Sequence, residues 1–342
     1  MRLKLTRFAP LKFLLKNLRA ESTYHQPFFH LLKFLLKGFS SDQIAFYQLS
    51  EKNYREYPRD IFRYRTTHNT NRNVWPILHD KLCFEGFMRG KLPIVPSLFY
   101  VCKGTINAGS EQYSVERFEQ EIRAGQRFVI KPIQGGMGEN LLFLKPTPNG
   151  FKLNETEYSF GDLTAVLSGL EYHLCCAYVQ QHDDIERFYP GVTNTVRVTS
   201  YMTTSGEARL TSPFMRFGTR RSAPVDTFGK GGVAAAIDLE SGMLTNAFIR
   251  GQRAEKLDAS VHPETGRQIV GFVIPFWKRI TETILKFQAI HPCFDLVGWD
   301  VIITHEGFLI IEGNHNPETS LLVMFNKDPD FIAFLKDRNI IA

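Results

Sequence analysis

Three oxygen-bearing side chains stand at spacings that could do chemistry in the stretch Gly298-Trp299-Asp300-Val301-Ile302-Ile303-Thr304, His305-Glu306-Gly307, Phe308-Leu309-Ile310-Ile311-Glu312-Gly313-Asn314. Two apolar runs around a short polar loop predict a β-hairpin, with Gly307 where the loop asks for a left-handed residue. With a three-residue loop, Thr304 pairs with Phe308, Ile302 with Ile310 and Asp300 with Glu312. Asn314 then falls two residues further along the same face. Two carboxylates directly opposite repel unless something cationic sits between them. Asp300, Glu312 and Asn314 therefore read as a hard oxygen set suited to Mg²⁺ carrying a nucleotide phosphate. The plainer reading leaves them facing water, but their apolar neighbours predict buried strands, where carboxylates need partners.

Four further groups could serve the same chemistry. Lys131 leaves an apolar strand, Phe128–Lys131, and is followed by Gly135-Gly136-Met137-Gly138. An ammonium at a strand end and a glycine loop can both approach phosphate oxygens, although the order is not that of a P-loop and a plain hairpin looks the same. Arg197, inside the apolar Asn194-Thr195-Val196-Arg197-Val198, needs an anion: either a structural carboxylate or a transferring phosphoryl group. Tyr178-Val179-Gln180-Gln181-His182 is a strand running into a polar linker whose backbone could meet an adenine edge, a pattern that says little by itself. Arg216, with Asp226, Lys230, Gly231 and Gly232 in a glycine-rich loop, could line a substrate pocket, or the loop could be merely mobile.

The elements that must position these groups alternate short strands and helices. The patterns predict helices over Asp80–Gly90, Val115–Ala124, Asp162–Gly169, Pro275–Phe287 and around Phe331–Leu335. They predict strands over Leu98–Cys102, Asn140–Leu144, Cys175–Gln180, Thr195–Thr203, Ala208–Phe217 and Val233–Asp238. The chain is thus α/β or α+β with several antiparallel hairpins. Leu11, Leu14, Leu15 and Leu18, then Phe28, Leu31, Leu32, Leu35, Leu36 and Phe39, trace two amphipathic helices with basic polar faces. They are either a helical cap on the main body or an attachment to an anionic membrane surface or to a membrane-bound partner.

Charge supports this division. Residues 1–40 hold eight Lys or Arg and one acid, Glu21, a net +7, so the remaining 302 residues sum to −1 and the chain to +6. This argues against a basic groove for nucleic acid through the body. The five Cys show no CxxC spacing, which argues for a reducing, cytoplasmic setting without disulfide framework or zinc. Lys12 and Lys16 interrupt the N-terminal apolar stretch, so it reads neither as a membrane span nor as a signal peptide.

Taken in order, the Lys-Pro with its glycine loop, the linker, the Arg-bearing strand and the terminal Asp and Glu-x-Asn hairpin resemble the ATP-grasp superfamily. Asn194–Arg197, Val225–Asp238 and Gly298–Pro317 resemble in particular its sugar-transfer-associated family, related to α-L-glutamate ligases. The resemblance runs from about Asp80 to Asn326 and leaves residues 1–75 unmatched. It implies two α+β lobes clasping ATP, over 76–185 and 186–342, after a basic helical segment over 1–75. It implies that Lys131 contacts phosphates under Gly135, Gly136 and Gly138, and that backbone near Val179, Gln180 and Gln181 meets adenine. Many relatives carry an acid in that linker where this chain has Gln180 and Gln181. Arg197 would hold the γ-phosphate, and Asp300, Glu312 and Asn314 would hold Mg²⁺. The implied reaction joins a small-molecule carboxylate to an amine through an acylphosphate, with sugar-linked substrates in surface-polysaccharide synthesis. A sugar kinase with Asp226 as base, or a scaffold docked at a glycan-assembly membrane through residues 1–40, are the rivals. On this reading, deleting residues 1–40 spares ATP binding.

Overall fold

The computed structural model describes Asn17 and residues 27–341, apart from 58, 60–69, 109–112, 137, 318–320, 322–324 and 326–327. The Leu11–Leu18 helix expected from sequence therefore lies outside the described residues except for Asn17. The second one forms as α1 (Phe28–Leu36), followed by α2 (Ser41–Phe46), α3 (Trp75–His79) and α4 (Lys81–Met88). Asp80 caps α4 by accepting from the backbone N–H groups of Leu82 and Cys83.

The first sheet holds β1 (Phe99–Cys102), β2 (Thr105–Ala108), β3 (Phe128–Pro132), β4 (Leu142–Thr147), β5 (Gly150–Leu153), β6 (Thr156–Ser159) and β7 (His173–Ala177) in the order β2-β1-β7-β3-β4-β5-β6. Every pairing is antiparallel. Along β3 the alternation is clean: Phe128 and Ile130 face a core built with Phe118 and Ile122 of α5 (Val115–Arg123) and with Leu163 and Leu167 of α6 (Leu163–Ser168). Val129 and Lys131 are left for the opposite face. Strands β2, β5 and β6 were not foreseen. Thr-Glu-Tyr-Ser in β6 has no apolar alternation, and only its pairing to β5 makes it a strand.

The second sheet joins β8 (Val196–Met202), β9 (Ala208–Phe217), β10 (Val233–Ile237), β11 (Leu244–Arg250), β12 (Lys256–Asp258), β13 (Leu296–Thr304) and β14 (Gly307–Asn314) in the order β12-β11-β10-β9-β8-β13-β14. Odd-numbered residues of β13 (Val297, Trp299, Val301, Ile303) pack with Ile280, Ile284 and Phe287 of α8 (Trp277–Ile290), the helix that follows the short α7 (Asp183–Glu186) in the chain. Trp299 is sealed by an edge-on Phe287 and donates to Ser200 Oγ at 2.9 Å. Even-numbered residues look the other way. Both faces are covered, so β8 is buried along its whole length and β13 up to Ile303, polar residues included. Strands β11 and β12 also escaped the sequence reading.

The N-terminal helices pack on that other face. Leu31, Phe34 and Leu35 of α1, with Phe39, share a core with Phe214, Phe228, Phe248 and α9 (Pro329–Asp337). The inner face of α1 with Phe39 is thus part of the second lobe's core, and deleting residues 1–40 would remove it. Phe34 is 1% exposed, so Phe34→Ala should cost about 3–5 kcal/mol in urea unfolding; a loss below about 1 kcal/mol would show that α1 is peripheral. Among the described residues, no helix is long and apolar enough to cross a membrane.

Candidate active site

Cross-strand register assembles the site. Asp300 of β13 stands directly opposite Glu312 of β14 on one side and Arg197 of β8 on the other. Directly opposed residues share a face, so two acids and a guanidinium form one row across three strands. Phe214 continues the row, and Arg216 lies two residues further along β9 on the same face.

The hairpin reaches this register by a route the sequence did not show. Thr304 pairs with Gly307 across a two-residue turn, so Ile303 meets Phe308 and Ile302 meets Leu309, one step off the expected pairing. A bulge then leaves Ile311 without a partner and restores Asp300 opposite Glu312. Ile311 and Glu312 thereby both line a cavity of about 450 Å³ between the two sheets.

Asp300 is clamped. Arg197 donates to its two oxygens at 2.5 and 3.0 Å, and Arg216 Nη2 lies 3.2 Å away. Burial alone would raise the carboxyl's pKa; the guanidiniums of Arg197 and then Arg216 overcome that and hold it at about 2. The partner of Arg197 is thus a carboxylate, and its side chain also lines the cavity. Asn314 completes the trio, its amide donating to Gly298 O at 3.2 Å and lying 3.4 Å from Asp300 Oδ2 and 3.5 Å from Glu312 Oε1. Turned by 180°, the same amide presents oxygen at that point. Among the described residues no group of three or more His, Cys, Asp or Glu is placed to hold a metal ion. Here the amide is the third donor, and two carboxylates with one amide fit Mg²⁺.

The first lobe faces this row with cations. Lys131 lines the cavity from the β3 face opposite the core. Beside it stands Lys81, which the sequence reading missed, donating to Gly135 O at 3.0 Å. Burial lowers the Lys81 pKa, Glu312 opposes that, and Lys131 adds to it. A sequence signal existed: a lysine at the first position of α4 sits at the positive end of the helix dipole, where a cation is unfavourable unless it serves something else. Gly138, at φ +65°, lies so close to the second lobe that a Cβ there would meet Val225 Cγ1 at 2.5 Å. The loops of the two lobes thus touch over the cavity. Lys81→Ala should weaken Mg·ATP binding about tenfold, the worth of one charge-assisted contact, read by titration calorimetry; an unchanged affinity would remove Lys81 from the nucleotide site.

The loop after β9 is only partly what sequence suggested. Asp226 is buried, accepts from Thr195 N at 2.9 Å and from the Thr195 hydroxyl, and forms an ion pair with Arg216 at 3.4 Å. Burial works against the Arg216 charge, but Asp226 and then Asp300 raise its pKa. Lys230 is exposed, and it, Gly231 and Gly232 do not line the cavity. The glycines shape the loop instead: Gly231 takes φ +102°, and a Cβ on Gly232 would meet Asp226 O at 2.3 Å.

The linker also shifts. Strand β7 stops at Ala177 rather than Gln180, and Tyr178 and Val179 line the cavity. Gln180 is exposed and accepts from Arg127 at 2.8 Å. Gln181 is wholly buried, donating to Glu186 at 2.5 Å and Val192 O at 2.7 Å and accepting from Asn194 N at 3.0 Å. It holds the chain between the lobes together and is turned away from the cavity. At the far end, Asp42 of α2 also lines the cavity and meets Arg250 at 3.2 Å, a pair no local pattern announced.

A family model described as sugar-transfer associated ATP-grasp matches residues 62–329. The chain belongs to the sugar-transfer-associated ATP-grasp family. No curated protein matches it. Among solved structures, this ATP-grasp chain is similar to D-alanyl-alanine synthetase A from Vibrio cholerae, at 14% identity and TM-score 0.42 over 77% of this chain and 64% of that one. It is also similar to a biotin carboxylase from Campylobacter jejuni, at 13% identity and TM-score 0.43, over 88% and 52%. A D-alanine-D-alanine ligase from Coxiella burnetii follows at 12% identity and TM-score 0.38, over 77% and 56%. The chain thus spans about half to two thirds of the length of these three structures.

Proposed function

We propose that the protein is an ATP-dependent carboxylate–amine ligase acting through an acylphosphate. One observation carries the reading: the acid–guanidinium row Glu312, Asp300, Arg197, Arg216 faces Lys131 and Lys81 across a single cavity. Such a site spreads charge over a transferring phosphoryl group and offers little covalent chemistry. Cys176 lines the cavity too, but burial, against the pull of Lys131, pushes its thiol up and keeps it protonated. The substrate carboxylate attacks the γ-phosphorus and ADP leaves; the amine then attacks the acyl carbon, loses a proton, and orthophosphate leaves. Mg²⁺, when held by Asp300, Glu312 and Asn314, supplies charge neutralisation at the phosphates. Lys131 and Lys81 would hold phosphate oxygens, Arg197 and Arg216 the oxygens of the carboxylate being activated, and backbone at Tyr178–Val179 the adenine.

A kinase needs a free base beside the γ-phosphate. Asp226 is spoken for by Thr195 and Arg216, which favours the ligase. Hydroxylamine added with Mg·ATP and candidate acids should trap an acyl hydroxamate. A stable phosphate ester instead would make the protein a kinase, and no ATP turnover with any acceptor would make it a scaffold. The sugar-transfer description of the family supports a sugar-linked carboxylate or amine as substrate; surface-polysaccharide synthesis on the cytoplasmic side of the membrane is the setting we propose for it.

A further inference from the structure

Helix α1 is apolar on both sides, and the core of the second lobe uses only one. Leu31, Phe34 and Leu35 are buried in the core of the second lobe. Phe28 is 50%, Phe29 84% and Leu36 72% exposed, and Leu32 is half-buried. At 100° per residue, Phe28, Leu32, Leu36 and Phe29 fall within one arc of about 100° facing away from the core. Isolated exposed apolar residues need no explanation, but four on one face of a nine-residue helix form a patch. Lys33 and Lys37 flank it and both reach Glu51, at 2.9 and 3.6 Å. The sequence just before α1 is strongly cationic: Arg2, Lys4, Arg7, Lys12, Lys16 and Arg19 precede it, against Glu21 alone.

We infer that the outward face of α1 docks on an anionic lipid surface, with the basic residues upstream of it as the second attachment. The occupant follows from charge complementarity. An apolar helix face inserts at the headgroup boundary, and adjacent Lys and Arg are drawn to anionic headgroups; each signal alone is marginal and the two together are stable. A protein partner would be met by either signal; a run of six cations before a greasy helix face favours lipid. The core side of α1 stays in the protein, so docking requires no unfolding. The inference is independent of the ligase reading, since it uses no residue of the cavity.

Flotation of the full chain with phosphatidylglycerol vesicles tests it. Wild type should float at low salt, lose at least tenfold of its partitioning in 0.5 M NaCl, as screening requires, and not float with phosphatidylcholine alone. Phe29→Glu with Leu36→Glu should lower partitioning at least tenfold while the thermal melt and Mg·ATP affinity stay as in wild type; both sites are exposed, so the fold is kept. Replacing Arg2, Lys4 and Arg7 by Gln should lower partitioning on anionic vesicles as well. Equal flotation on neutral lipid, no flotation, or a double variant that floats like wild type would each overturn the inference. Light scattering that shows a wild-type dimer dissociating in the double variant would reassign the face to a second copy and overturn it too.

Discussion

Asp300→Ala is expected to destabilise the protein by about 3–5 kcal/mol and to abolish turnover. Removing this carboxylate strands Arg197, which is only 7% exposed, and leaves Arg216 with Asp226 alone; an uncompensated buried charge has that cost. It is a large part of the roughly 5–15 kcal/mol that holds a typical domain folded. Urea unfolding followed by tryptophan fluorescence reads it directly, because Trp299 is the neighbouring residue. The double change Arg197→Met with Asp300→Leu should recover much of the stability, since replacing a buried pair by apolar groups is often neutral, yet recover no turnover. Loss below about 1 kcal/mol in the single variant would mean that the guanidiniums rearrange to water and that the clamp is not structural.

Glu312→Gln should separate the two roles that Asp300 combines. Glu312 is half-buried, and the contact described for it is Asn314 at 3.5 Å, so the fold should survive with an unchanged melt. The variant keeps the shape but removes one of two carboxylates from the oxygen set. Turnover of Mg·ATP should fall by a factor of at least 100, comparable to deleting one preorganised electrostatic contact, and half-saturation by Mg²⁺ should move to higher concentration. Turnover within twofold of wild type would remove the metal assignment and, with it, the reason for placing the γ-phosphate beside this row.

Much of this was legible before any coordinates. The oxygen trio could be read because its spacing is local: fifteen residues of hairpin, period two, decide which side chains share a face. The detail was not. The two-residue turn moved the pairing by one, and the bulge at Ile311 moved it back, so the right pair was reached through the wrong ladder. Loop residues fared worse. The Gln181 side chain is buried in a hydrogen-bond network, and Gly231 and Gly232, open between pocket lining and plain loop in the sequence, lie off the cavity lining, because a polar or flexible residue looks the same whether it serves a ligand or a turn.

The sequence by itself determined the family, the lobed α+β fold and the residue types that could hold Mg·ATP, since local pattern and motif order suffice for these. Tertiary structure alone decided who neutralises whom. Arg197 finds Asp300 103 residues away, and Asp42 finds Arg250 208 residues away. Lys81 reaches the glycine loop from another element. Electrostatic partners are set by distance in space, and register across β8, β13 and β14 brings charges distant in the chain onto one face of one sheet.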